Sequence, residues 1–352
     1  MSIDSGSTKL KLIIMITTRI SNIIAALFLC CGITATLTSC KNGDAEFPDY
    51  EGGTTAYFAY QYPVRTIVLG DDEYDTTGDK AGIFHIKSTF GGSYNGSNGS
   101  ITVAVAPTLC DNLTFEDGSP VKVMPREYYD LKATTWNYGG TMYGQSEVQL
   151  TEAFFNDPLA AQQTYVIPLQ IVDQAGFGRV LTGTLKEGGN PIRTDASQWE
   201  VQPMDYVLYC VKFQNKYSGY WLTNGNTSTE NIEKAGNVQI KCHSINKSVY
   251  TVSYQDGNKM RTCDLLLTFS GDRYSTSDQC TITSLTEGVN ATGSGTWTDQ
   301  GEKKSWGDKD RDLMELNYTV DFGNGVTFST HEKLVWYRSG ITTQEFAPIY
   351  VK

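Results

Sequence analysis

Histidine is nearly absent from this chain of 352 residues: His85, His243 and His331 are the only three. They form no His-Glu-x-x-His motif and no spacing that joins them to a serine or cysteine, so metalloprotease and triad arrangements are not expected. Surface or hydrogen-bonded structural roles suit all three better. No Cys-x-x-Cys occurs either, which argues against zinc. Long Ala/Glu/Lys runs are missing, and basic residues are few. Lys and Arg total 28 against 39 Asp and Glu, a formal charge of −11. Such a surface argues against nucleic acid and anionic polymers as partners. What is abundant is Tyr (21) and Gly (34), with many Thr, Ser and Asn, the composition of an all-β chain.

The first 39 residues differ from the rest. Lys9, Lys11 and Arg19 make a basic start, Ile20–Thr38 is uncharged and largely apolar or small, and Leu37-Thr38-Ser39-Cys40 closes the run. This is the layout of a secretory signal. The closing tetrad resembles the bacterial lipobox, which implies cleavage before Cys40, diacylglycerol on its sulfur and a palmitate-class acyl group on the new amine. Several acyl chains, at ~0.8 kcal/mol per buried methylene, anchor stably to a membrane. A transmembrane helix is the competing reading. It needs ~20 predominantly apolar residues, and Ser21, Asn22 and Gly32 interrupt this stretch. Residues 40–53 read as a flexible tether. With Asp44 and Glu46 they resemble the acidic export signal of Bacteroidetes surface lipoproteins, implying an outer-membrane, lipid-anchored protein facing the exterior.

From Thr54 onward, short alternating runs are separated by Gly, Asn, Asp or Pro. Residues 54–186 suit an immunoglobulin-like β-sandwich, with only Glu152–Asp157 reading as a helical turn. Periodicity lapses across 187–204, the expected linker, where Gly188, Gly189, Pro191 and Pro203 fall. Residues 205–352 then alternate more regularly. Met314, Leu316, Tyr318, Val320 and Phe322 form one face, Gly323-Asn324-Gly325 a turn, and Val326 and Phe328 resume the face. Successive hairpins of this kind predict an antiparallel barrel, which removes its own sheet edges.

Several strings carry a resemblance. They are Ala56-Tyr-Phe-Ala-Tyr-Gln-Tyr62 with Asp71, Asp72 and Asp75, then Met124-Pro-Arg-Glu-Tyr-Tyr129, Ala153-Phe-Phe155, and Tyr165-Val-Ile-Pro-Leu-Gln-Ile-Val-Asp173. Over residues 47–186 the chain resembles the N-terminal domain of Bacteroidetes surface lipoproteins from polysaccharide utilisation loci, a domain also found ahead of family-18 endoglycosidases. The later half, from Tyr206 to Pro348, is similar to a lipocalin-like companion domain. The resemblance implies a surface glycan-binding accessory protein, working beside an outer-membrane glycan transporter complex. It supplies neither a ligand nor a site.

Chemistry has few candidates beyond Cys40. Asp308, Asp310, Asp312 and Glu315 are spaced as neither the family-18 acids nor an EF-hand loop, since Leu313 stands where that turn needs Gly. They read as a solvated loop, so no metal, cofactor or catalytic residue is expected and the chain reads as a non-enzyme. Cys242, Cys263 and Cys280 fall on predicted inward faces; buried thiols are preferred to a bridge, and the pairing of these with Cys110 and Cys210 stays open. Sugar is held by an aromatic face beside polar groups that bond its hydroxyls. Trp136 and Tyr138 on a Gly-rich stretch, Trp297 after Gly293-Ser-Gly295, and Trp306 beside the acidic cluster are the candidate glycan-binding residues. Tyr220 and Trp221 with Asn224 and Asn226 form a further candidate, although Trp221 and Trp336 fit a core better. Two alternatives stay open: an adhesive, pilus-like lipoprotein without sugar affinity, and a glycoside hydrolase.

Overall fold

A computed structural model of the chain describes residues 48–223, 236–342 and 344–352. Cys40, the signal segment, most of the tether, Asn224 and Asn226 lie outside them. Among the described residues no helix is long and apolar enough to cross a membrane.

The chain is all-β, a two-sheet sandwich joined to a closed barrel. One sheet has, in spatial order, Arg179–Val180, Thr55–Tyr57, Ile83–Gly91, Tyr143–Leu150 and Tyr129–Leu131. The facing sheet runs Gln344–Glu345, Pro63–Val68, Tyr206–Gln214, Tyr165–Ala175, Ser100–Val105 and Thr135–Asn137, with Lys122–Val123 beside Tyr165–Ala175. Alternation drives the first sheet: Phe84, Ile86, Ser88 and Phe90 point inward while His85 and Lys87 face water. Between the sheets pack Phe58, Ile86, Trp136, Val148, Phe154, Ile167 and Phe213, each at most 1% exposed. The expected helical turn is present at Glu152–Asn156 and buries Phe154 and Phe155.

Eight antiparallel strands close the barrel: Gly219–Thr223, Gly236–Ser244, Lys247–Asp256, Lys259–Phe269, Ser277–Ser284, Asn290–Ser305, Lys309–Asp321 and Thr327–Arg338. The expected hairpin is there, with Asp321 opposite Thr327 and positive φ at Gly323, Asn324 and Gly325. Inward side chains fill the interior, among them Trp221, Tyr250, Leu265, Phe269, Met314, Tyr318 and Trp336. Glu332 is buried with them and accepts hydrogen bonds from the hydroxyls of Tyr318 (2.9 Å) and Tyr250 (3.4 Å).

Two boundaries differ from expectation. Tyr206–Gln214, assigned with the barrel, lies inside the sandwich sheet, parallel to Pro63–Val68 and antiparallel to Tyr165–Ala175. Its run Tyr206-Val-Leu-Tyr-Cys-Val is apolar on both faces because both faces are covered. The barrel therefore begins at Gly219. After Arg338 the chain returns to the sandwich, where Gln344–Glu345 pairs with Pro63–Val68 and Ile349–Tyr350 with Leu113–Thr114. Residues 187–204 are also ordered: Trp199 is buried, its indole donates to Ile192 O at 2.7 Å, and Arg193 pairs with buried Asp205 at 2.9 Å.

All five described cysteines are free thiols, four of them buried. Cys242, in phase with Ile240 and opposite buried Ser248, lies at the barrel end nearest the sandwich, where it packs against the sandwich core and accepts from the Asn215 N–H at 3.4 Å. A bulge follows, between Cys242 and Ser244.

Candidate functional site

The crossing from sandwich to barrel, Asn215 to Ser218, is buried throughout. The Lys216 ammonium lies beneath one barrel end. It donates to Asp272 O (2.9 Å), Ser275 O (2.6 Å) and Ser275 Oγ (2.9 Å), and pairs with Asp278 at 3.0 Å. Asp278 also accepts from the Tyr217 hydroxyl at 2.7 Å and Ser275 Oγ at 2.6 Å. Burial pushes the Asp278 carboxyl up, but the bonds from Ser275, Tyr217 and Lys216 outweigh it and hold the group below the usual range. Burial lowers the pKa of Lys216, opposed by Asp278. Every member of this buried pair is satisfied, which is what makes such a pair tolerable.

Beside it, where the barrel end meets the sandwich, lies a pocket of about 210 Å³. Asp71 reaches it from the sandwich, and Asp299 and Asp312 from adjacent barrel strands. One carboxylate oxygen of each lies within 4.8 Å of the others. Asp299 follows the paired Thr298 and Asp312 precedes its partner Leu313, at the point where a bulge interrupts the ladder. The bulge sets Gln300 at φ 48°, and its N–H donates to Asp312 at 3.0 Å. Burial, and then the charges of Asp71 and Asp299, push the Asp312 carboxyl up to about 7 against that bond. Lys80 pairs with Asp71 at 3.0 Å. Among the described residues Asp299 and Asp312 have no ion-pair partner.

Two residues that line the same pocket carry buried donors without a partner. Trp297 is 2% exposed, and its Nε1 has no acceptor. The Lys216 ammonium sits 4.3 Å from its ring centroid. The Arg273 side chain, 9% exposed, gives Nη2 to Glu152 at 2.6 Å and to the Tyr274 hydroxyl, but its Nε and Nη1 have no partner. Tyr274, largely exposed, stands at the rim. Buried groups left this way are rare, and acceptors supplied from outside the chain would satisfy them.

The candidate glycan-binding residues scatter. Trp136 and Tyr138 belong to the sandwich core, a correction to the expected loop site. Trp136 donates to Ala133 O at 2.9 Å and meets Phe58 edge-on at 5.9 Å. Tyr138 bonds Ser88 Oγ at 2.9 Å and folds over Gly144, where a Cβ would come within 2.7 Å of its ring. The glycines let the aromatic rings fold inward. Trp297 also lies on a strand rather than a loop, since Gly293 and Gly295 are barrel positions that make room for Tyr318 and Leu316. Of the four, only Trp297 lines the pocket. Trp306 is 40% exposed at a barrel turn, edge-on to Tyr337 at 5.5 Å. His85 and His331 are exposed and His243 half-buried, while Trp221 and Trp336 lie in the core. Nothing in the sequence points to Asp71, Lys216 or Arg273 as site residues, Asp299 stands in the stretch around Trp297, and Asp312 reads as solvated but is 3% exposed. One signal was present: Asp312 is in phase with Met314 and Leu316, and Asp299 with Trp297.

A family described as an N-terminal domain matches residues 50–178, and a domain of unknown function, DUF5627, matches residues 213–340. No curated protein matches the chain. A Bacteroides ovatus protein of unknown function, solved by structural genomics, is 31% identical over 86% of this chain and 100% of its own, with a TM-score of 0.76. A multidomain Bacteroides ovatus protein including DUF1735 is 12% identical, covering 83% of this chain and 90% of its own, at a TM-score of 0.32. At that score the second likeness bears on neither site nor function. The first covers both parts of the molecule, and the chain belongs to the family of that Bacteroides ovatus protein.

Proposed function

We propose that this chain is an outer-membrane surface protein, lipid-anchored through Cys40, that binds glycan without cleaving it and serves an outer-membrane glycan transporter. The junction pocket carries the reading. Aromatic rings there stand beside both acceptor carboxylates and unpartnered N–H donors, the mixture that sugar hydroxyls require. Affinity electrophoresis of the purified chain against a panel of polysaccharides tests it. Retardation without release of saccharide is the expected result, and no retardation by any of them overturns it. The anchor is tested by intact mass of protein taken from the membrane fraction: an unmodified chain retaining residues 1–39 removes it.

One observation favours a second reading. Asp312, its carboxyl pushed up to about 7, stands beside Asp299, and paired carboxyls with separated proton affinities can act as acid and base. Retaining glycosidases hold their carboxyls about 5–5.5 Å apart, with the scissile bond between them. Here a third carboxylate crowds the same space. Release of reducing sugar from a bound glycan, lost in Asp312→Asn, would establish hydrolysis.

A further inference from the structure

The hydrogen-bonding inventory of the junction pocket narrows what it can hold. Asp299 and Asp312 offer acceptors without a paired cation, while Trp297 Nε1 and Arg273 Nε and Nη1 are donors without an acceptor. A metal ion or ammonium would answer the carboxylates but leave those N–H groups orphaned, in a pocket already lined by Lys80, Lys216 and Arg273. A carboxylate, sulfate or phosphate would answer the donors but face three aspartates. An apolar ligand would answer neither. A hydroxyl group both donates and accepts, so a hydroxyl-rich, uncharged ligand completes both sets with one kind of group. The space, about 210 Å³, is below the roughly 300–1,000 Å³ of sites for drug-sized ligands. It suits one ring rather than a run of rings.

We infer that the junction pocket takes a single neutral sugar ring at the end of a glycan chain. Neighbouring hydroxyls donate to Asp299 and Asp312 and accept from Trp297 and Arg273. This rests on the glycan-binding reading and deepens it in two ways: acidic sugars are rejected, and the chain is recognised at its end rather than along its length.

The test uses the whole chain and a neutral glycan that retards it in affinity electrophoresis. Neutral methyl glycosides, glucuronic acid and calcium chloride are added in turn as competitors. A neutral methyl glycoside should release the protein, and glucuronic acid at the same concentration should not. Asp299→Asn should weaken binding by about tenfold or more, as expected when a hydrogen bond to a charged group is lost. Trp297→Phe keeps a ring, removes only the indole N–H, and should weaken binding several-fold. Asp308→Asn, on the exposed barrel turn, should change nothing. If glycan is retained but no monosaccharide competes and both pocket variants bind normally, the pocket assignment falls and glycan binding stands. If no glycan is retained at all, the glycan reading itself falls. A melting temperature raised by calcium alone, and no longer raised in Asp299→Asn, would make this a cation site and overturn the inference.

Discussion

Glu332 and Asp312 sit on the inner face of neighbouring barrel strands, 8% and 3% exposed, yet their surroundings are opposite. Glu332, within the barrel, receives two tyrosine hydroxyls. Burial still pushes its carboxyl up, with Tyr318 and Tyr250 pulling it back. Asp312, at the end facing the sandwich, receives one backbone N–H and looks onto two more carboxylates. A buried acid whose neighbours complete it is part of the architecture. A buried acid surrounded by like charge and by orphaned donors is waiting for something the chain does not contain. Depth alone would have ranked them together.

The comparison can be broken by mutation. Glu332→Ala strips both tyrosines of their acceptor and opens a cavity, so thermal or urea unfolding should show a loss of about 2–4 kcal/mol with glycan binding unchanged. Asp312→Asn should act in the opposite sense. The Asp312 carboxyl holds its proton to about pH 7 in the folded chain, against ~3.9 for an unfolded aspartate, so its penalty is absent below about pH 4 and complete above about pH 7. Asp71 and Asp299 favour the proton and Lys216 opposes it. The variant should therefore gain on the order of 2 kcal/mol at pH 8, little at pH 4, and lose binding. If stability instead rises with pH between 4 and 7, and Asp312→Asn abolishes that rise, Asp312 is as settled as Glu332 and the contrast fails. Tyr318→Phe removes the shorter of the two bonds to Glu332 and should cost about 1 kcal/mol. The smallest effect belongs to Trp306→Ala, whose exposed ring touches Tyr337: less than about 0.5 kcal/mol, and unchanged glycan affinity. Lost affinity there would move the site to the outer turn.

Much of the fold was legible because burial follows alternation, as between Met314 and Phe328. Two strands were not, and for one reason: local chemistry was taken for local geometry. Gly293 and Gly295 look like a loop, but a barrel crowded by Tyr318 and Leu316 needs inward positions without side chains. Tyr206–Gln214 looks like a barrel strand because its apolar run gives no sign of which sheet covers it. The pocket was harder still, since Asp71 meets Asp299 and Asp312 only once the barrel has closed against the sandwich. Asp312 and Asp299 are the legible ones, acids in step with a buried face.

The barrel is held by the sandwich at both of its ends of chain, through Tyr206–Gln214 on the way in and Gln344–Glu345 on the way out. The first crossing, Asn215 to Ser218, is buried throughout, so a protease reaches only the stretch after Arg338, and a nick there leaves the barrel held through Tyr206–Gln214.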